Sequence, residues 1–279
     1  MKRIGKIESC TRKGSGDWNE DGLILHPPAR LFGVVDGATG MDPVRDPLGR
    51  SAGRIAMETV VSAFLEGGDA PSLRTLTLEA NGKLRTLMQK YGVDVSDPSR
   101  CWSAAHAVVR FRGDWELEWV QSGDCKIYAV SREGDVRALA EDRVKPLDDR
   151  VLSRWVEEFG QSRPGGFLPE PIREDLRKNR ARGNRPGGYP VINGDPALKE
   201  HLQSGTLSLK GLSFLLLVTD GMDPRQGDEA AWVRRIGREG LGTTMESLCR
   251  EEREDEACTR VPRFKVSDDK TGLLIRFHG

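Results

Sequence analysis

Three apolar runs in this chain end at or just before an aspartate that adjoins a glycine: FGVVDG at 32–37, WVQSGD at 119–124 and LLLVTDG at 215–221. Runs so short and so rich in valine and leucine read as buried strands rather than helices. A charge where a strand leaves the core needs a partner. One such acid is explained by a turn cap, with the neighbouring glycine supplying the unusual dihedral. Here the pattern recurs, because KVSDDKTGLLI sets Asp268 and Asp269 ahead of an apolar run and NED at 19–21 sets Glu20 and Asp21 ahead of GLIL. Acids that converge from several strand ends repel one another, which raises their pKa values and weakens the fold unless cations neutralise them. An oxygen-only donor set without His or Cys suits magnesium or manganese better than zinc.

Between these corners the period changes. LGRSAGRIAMETVVSAFLE (48–66) and SLRTLTLEANGKLRTLMQKYG (72–92) keep apolar positions at helical spacing, which predicts two successive helices. CWSAAHAVVRF, DWELEWVQS, CKIYAVS and DVRAL are short β-rich segments divided by turn residues, and they predict one antiparallel meander. Residues 145–205 hold SRPGGFLPEP, REDLRKNRAR and RPGGYPVINGDP, a proline-, glycine- and charge-rich stretch expected to run over the surface. LSFLLLVTDG predicts a buried strand, 228–257 predicts helix, and TGLLIRF predicts a closing strand.

The 279 residues contain no linker that would divide them, so a single domain is expected. Lys plus Arg balances Asp plus Glu at 43 each, which gives no reason to expect nucleic acid as a partner. Five cysteines without a C-x-x-C pair argue against a disulfide framework and against zinc, and suit a reducing cytoplasm. FLLLV at 214–218 is far too short for a bilayer, so no membrane association is expected. No cysteine stands in a C-x5-R loop, and KGSGDW lacks the lysine of a nucleotide-binding P-loop.

The ordered set NED, VVDGATG, SGDCKIYAV, LLLVTDG and SDDKTGLLI resembles the metal-dependent protein phosphatases of the protein phosphatase 2C type, and RARGNRPGGYPVINGDPAL is similar to a stretch of bacterial members. The resemblance spans nearly the whole chain. It implies an α+β fold, a four-layer α-β-β-α sandwich of two antiparallel sheets flanked by helices, over a single domain 1–279 with a flap-like insertion at about 145–196. It also implies two manganese or magnesium ions. Asp36 would bridge them and the Gly37 carbonyl would bind one; Glu20 would complete one shell, Asp220 and Asp268 the other. Asp268 is matched rather than Asp269 because Thr271 stands three residues beyond it. Asp21 would orient a metal-bound water, and Asp124 with Asp220 would take a third ion, unless Asp124 is simply a hairpin-turn residue.

The implied reaction is hydrolysis of phosphoserine and phosphothreonine in proteins by a metal-bridging hydroxide, with substrates made by a cognate kinase. Two departures stand out. The family's phosphate-gripping arginine corresponds to Gly16, and the histidine some relatives carry two residues after the bridging acid corresponds to Ala38. Arg12 and Lys13 are the nearest candidates for the phosphate, or both are solvated surface charges. Two other functions stay open: a non-catalytic phosphatase-like binding module, and a phosphatase of small molecules.

Overall fold

The computed structural model describes residues 4–38, 46–68, 70–160, 168–224 and 227–278. In chain order its strands are β1 (Ile4–Arg12), β2 (Asp21–His26), β3 (Leu31–Gly37), β4 (Ala104–Arg112), β5 (Glu116–Ser122), β6 (Lys126–Ser131), β7 (Val136–Ala138), β8 (Gln203–Ser208), β9 (Leu212–Val218) and β10 (Lys270–Phe277). The helices are α1 (Ala52–Glu66), α2 (Leu73–Lys90), α3 (Lys145–Phe159), α4 (Glu170–Arg180), α5 (Leu198–His201), α6 (Glu229–Glu239) and α7 (Leu241–Glu254). One sheet runs β1-β10-β9-β6-β7 and the other β2-β3-β4-β5-β8.

Central strands buried on both faces carry unbroken apolar runs, and their alternation decides which layer each residue joins. Phe32 and Val34 of β3 point between the sheets, where they meet Leu215 and Leu217 of β9 and Leu273 and Ile275 of β10. Leu31 and Val35 point outward onto Ile55, Val60 and Phe64 of α1 and Leu76 and Leu84 of α2. On the far side, Leu216 and Leu274 pack against Val233 and Ile236 of α6 and Met245 and Leu248 of α7. The result is the expected α-β-β-α sandwich. Ser51 and Ser72 start the two predicted helices, their hydroxyls accepting from the Arg54 and Thr75 amides at 3.2 and 3.0 Å.

The predicted meander is split between the sheets. β4 and β5 pair in one sheet and β6 and β7 in the other, so the chain crosses over at Gly123–Asp124–Cys125. Gly123 makes the crossing possible: its φ is +66°, and a Cβ there would lie 2.4 Å from that of Ala105.

Residues 145–160 and 168–196 hold more regular structure than their composition suggests. α3 and α4 bury Val151, Trp155 and Ile172 in a small cluster of their own, joined by Leu168, Leu176 and Phe264. Residues 161–167, inside this stretch, lie outside the described residues. Beyond α4 the Asn184 side chain donates to the Val191 carbonyl at 2.8 Å and accepts from its amide at 3.0 Å, and Ile192 bridges to Ala104 of β4. The glycine-rich segment is thereby stapled to the edge of the cleft.

Candidate active site

The strand ends that carry acids gather at one end of the sandwich. Asp21 opens β2 directly opposite Asp36 near the end of β3, so two carboxylates face each other across the ladder. The other sheet sends Asp220 from the 3-10 turn after β9 and Asp268 from the loop before β10. Asp124 stands at the crossing between the sheets. Asp36, Asp124, Asp220 and Asp268 line one cleft of about 510 Å³.

Close backbone contacts hold the arrangement. A Cβ at Gly37 would sit 2.0 Å from the Gly53 carbonyl oxygen, and one at Gly221 1.8 Å from that of Asp269. Gly37 is therefore bare because β3 touches α1 there, whatever its carbonyl binds. Asp269 is turned away from the cleft lining and accepts from the backbone amides of Gly14 at 2.7 Å and Glu20 at 2.6 Å. Lys270, fully buried, pairs with Glu252 at 2.7 Å and donates to the Asp268 carbonyl at 2.8 Å, which fixes the loop.

The electrostatics are those of crowded acids. Burial raises the Asp36 pKa well above its ordinary value, and the charges of Asp21, Asp220, Asp124 and Asp268 push it further. Asp21 is raised by burial and by Asp220, Asp268 and Asp269, despite a 2.8 Å hydrogen bond from Thr219 Oγ1 to its Oδ2. Its Oδ1 is buried without a hydrogen-bond partner among the described residues. Asp124 is raised by burial and by Asp220, Asp142 and Asp148. Asp268 differs: although burial works against it, the Lys265 ammonium at 2.7 Å brings its pKa below the ordinary value. The Glu20 carboxylate accepts from the Ser51 hydroxyl. As the side chains lie, no three acids, histidines or cysteines among the described residues converge closely enough to hold an ion. The donor set nevertheless fits a hard divalent cation: it is all oxygen, it carries an unsatisfied buried oxygen at Asp21, and its charges repel one another.

The two residues expected at the phosphate, like Glu20 and Asp21, are not part of the lining of this cleft. Arg12 ends β1 and is exposed, and the exposed Lys13 donates through Nζ to the Gly16 carbonyl; neither lines the cleft. Its basic lining comes instead from Arg173 and Arg180 of α4 and from Lys265. No sequence motif marks them; the available signals were an arginine pair seven residues apart in a polar helix and a lysine three residues before Asp268. His106 is buried between Thr77 and Ser122, with its pKa lowered to about 3 by burial, as a neutral packing residue.

No family model matches the chain, and neither does any curated protein sequence. Solved structures do match. The serine/threonine phosphatase Stp1 from Staphylococcus aureus shares 16% identity at a TM-score of 0.61, over 99% of this chain and 96% of that one. The Mycobacterium tuberculosis serine/threonine phosphatase PstP/Ppp shares 16% at 0.60, over 98% and 99%. The catalytic domain of the serine/threonine phosphatase PstP in complex with two manganese ions shares 15% at 0.58, over 99% and 100%. Two five-stranded sheets between helices, matched from end to end, give this chain the fold of the bacterial serine/threonine phosphatases of the protein phosphatase 2C type that its acidic motifs implied.

Proposed function

We propose that the chain is a metal-dependent serine/threonine protein phosphatase. The observation that carries this reading is the gathering of acids from both sheets at one cleft, with Asp21 and Asp36 face to face. Manganese or magnesium would be held by Asp36, Glu20, the Gly37 carbonyl, Asp220 and Asp268, and a third ion by Asp124 with Asp220. When bound, such ions supply Lewis-acid charge and ionise water near neutral pH. Their charge would offset the burial and repulsion that raise the Asp36 pKa. Asp21, whose Oδ2 is fixed by Thr219, offers Oδ1 to orient a water aimed at phosphorus. The choice of Asp268 over Asp269 is supported by their surroundings, since Asp269 is occupied by two backbone amides and Asp268 faces the cleft. The α3–α4 pair serves as the flap that covers a protein substrate, the product of a serine/threonine kinase in the same cytoplasm.

One observation favours a second reading, a phosphatase-like binding module: Asp268 is already paired with Lys265 and Glu20 with Ser51. Hydrolysis of an aryl phosphate and a phosphothreonine peptide with manganese, with magnesium and with chelator separates the two. Turnover restored by either ion and abolished by chelator is the expected result. Full turnover in excess chelator refutes the metal-dependent mechanism, and peptide binding without turnover under any condition establishes the module.

A further inference from the structure

The cleft is lined by charges of both signs. Beside its aspartates, Asp148 of α3 among them, stand Arg173 and Arg180, two helical turns apart and so on the same face of α4, together with Lys265 from the segment that follows α7. The two carriers are joined: Ile172 and Leu176 of α4 cluster with Trp155 and Phe264, and the Phe264 ring stacks on Trp155 at 5.7 Å with 9° between planes. Arg263, the residue before, donates to the Asp255 carboxylate at 2.8 Å and to the Val261 and Glu252 carbonyls at 2.8 and 3.2 Å. The backbone that presents Lys265 is therefore pinned on both sides. Arg173 is half-buried; its backbone amide donates to the Pro169 carbonyl at 3.0 Å and its charge acts on Glu170, but its guanidinium makes no hydrogen bond or close ion pair among the described residues.

We propose that Arg173 and Lys265, with Arg180 beside them, form a subsite that grips the phosphate dianion of a phosphoserine or phosphothreonine. The inference rests on the phosphatase reading of the acidic lining. A guanidinium holds two phosphate oxygens at once, which suits Arg173 to orient the ester. The Lys265 ammonium is a point charge in the cleft lining, 39% exposed, and can exchange an Asp268 oxygen for a phosphate oxygen. Cations among the lining also draw a dianion into a cleft whose carboxylates repel it.

The test uses the full chain with saturating manganese and reads KM and kcat for an aryl phosphate beside calorimetric binding of inorganic phosphate. Arg173→Ala and Lys265→Ala should each raise KM and the phosphate dissociation constant about tenfold, with a smaller change in kcat. Arg173→Lys and Lys265→Arg should recover part of the loss, while Arg12→Ala and Lys13→Ala change neither quantity. Melting curves identify a variant that fails to fold, and Lys265→Gln then replaces Lys265→Ala. If both constants stay at wild-type values in the α4 and Lys265 variants, the subsite is wrong even though the enzyme is active. If the wild type does not hydrolyse the ester but binds a phosphothreonine peptide through Arg173, the subsite stands and the catalytic reading falls.

Discussion

Neutralising Asp36 should stabilise the metal-free protein while abolishing turnover. Asp36 stands directly across the ladder from Asp21, where opposed Cβ atoms are about 5 Å apart and like charges destabilise. Two unit charges at about 6 Å in an effective dielectric of about 20 repel by about 3 kcal/mol. Burial and mutual repulsion raise both pKa values, which lowers the charge the pair carries. The relief in Asp36→Asn should accordingly be about 1–2 kcal/mol, a melting temperature about 2–8 °C higher in chelator for a chain of this size. The sign with pH follows from the same shifts. A carboxyl whose pKa is raised on folding binds more protons in the native state, so stability is lost as pH rises from the unfolded pKa through the folded one. Wild-type protein in chelator should melt at higher temperature at pH 5 than at pH 8, and Asp36→Asn should flatten that slope. Calorimetric scans in chelator and in manganese check both points, with manganese raising the wild type and not the variant. A variant about 1 kcal/mol less stable in chelator, with turnover preserved, would mean that Asp36 is a turn cap and would refute the reasoning.

Three further outcomes are expected. Gly37→Ala, which drives a methyl to within 2.0 Å of the Gly53 carbonyl, should cost about 1–3 kcal/mol or prevent folding, read by denaturant titration. Lys126→Met should cost about 3–5 kcal/mol by the same measurement, because the buried ammonium pairs with Asp223 at 2.5 Å and Asp142 at 3.4 Å and leaves both uncompensated. Thiol alkylation of the folded protein should leave turnover intact, since burial pushes the Cys101 thiol to about 11 and Cys10 to about 12, and holds buried Cys125 far above its ordinary range; rates before and after iodoacetamide decide it.

β3, β9 and β10 were legible because strands buried on both faces are written as unbroken apolar runs. β1 and β8 were not, because both are sheet edges: β1 carries Lys6 and Glu8 on a half-exposed strand, and β8 reads QSGTLS. Evenly spaced turns between β4 and β7 could not reveal that the chain changes sheet at Gly123, since periodicity carries no information about which strand pairs with which. α3 and α4 were hidden by their polarity; α4 buries only Ile172. At the site, the acids followed from strand ends that stop in carboxylates. The basic lining did not, because the segments that carry Arg173 and Lys265 come together through a small cluster in which Trp155 stacks on Phe264, 109 residues apart in the chain.

The split of the acids between the sheets has a mechanical consequence. Asp21 and Asp36 belong to one layer and Asp220 and Asp268 to the other, while between the layers lie apolar contacts that resist separation but have little directional preference against sliding. A cation shared by the two sets would act as a rivet through both plates. Its loss would loosen shear between them first at the cleft end, where the Gly123 crossing and the Asn184 staple are also anchored, so the mouth of the site and the alignment of the sandwich would soften together.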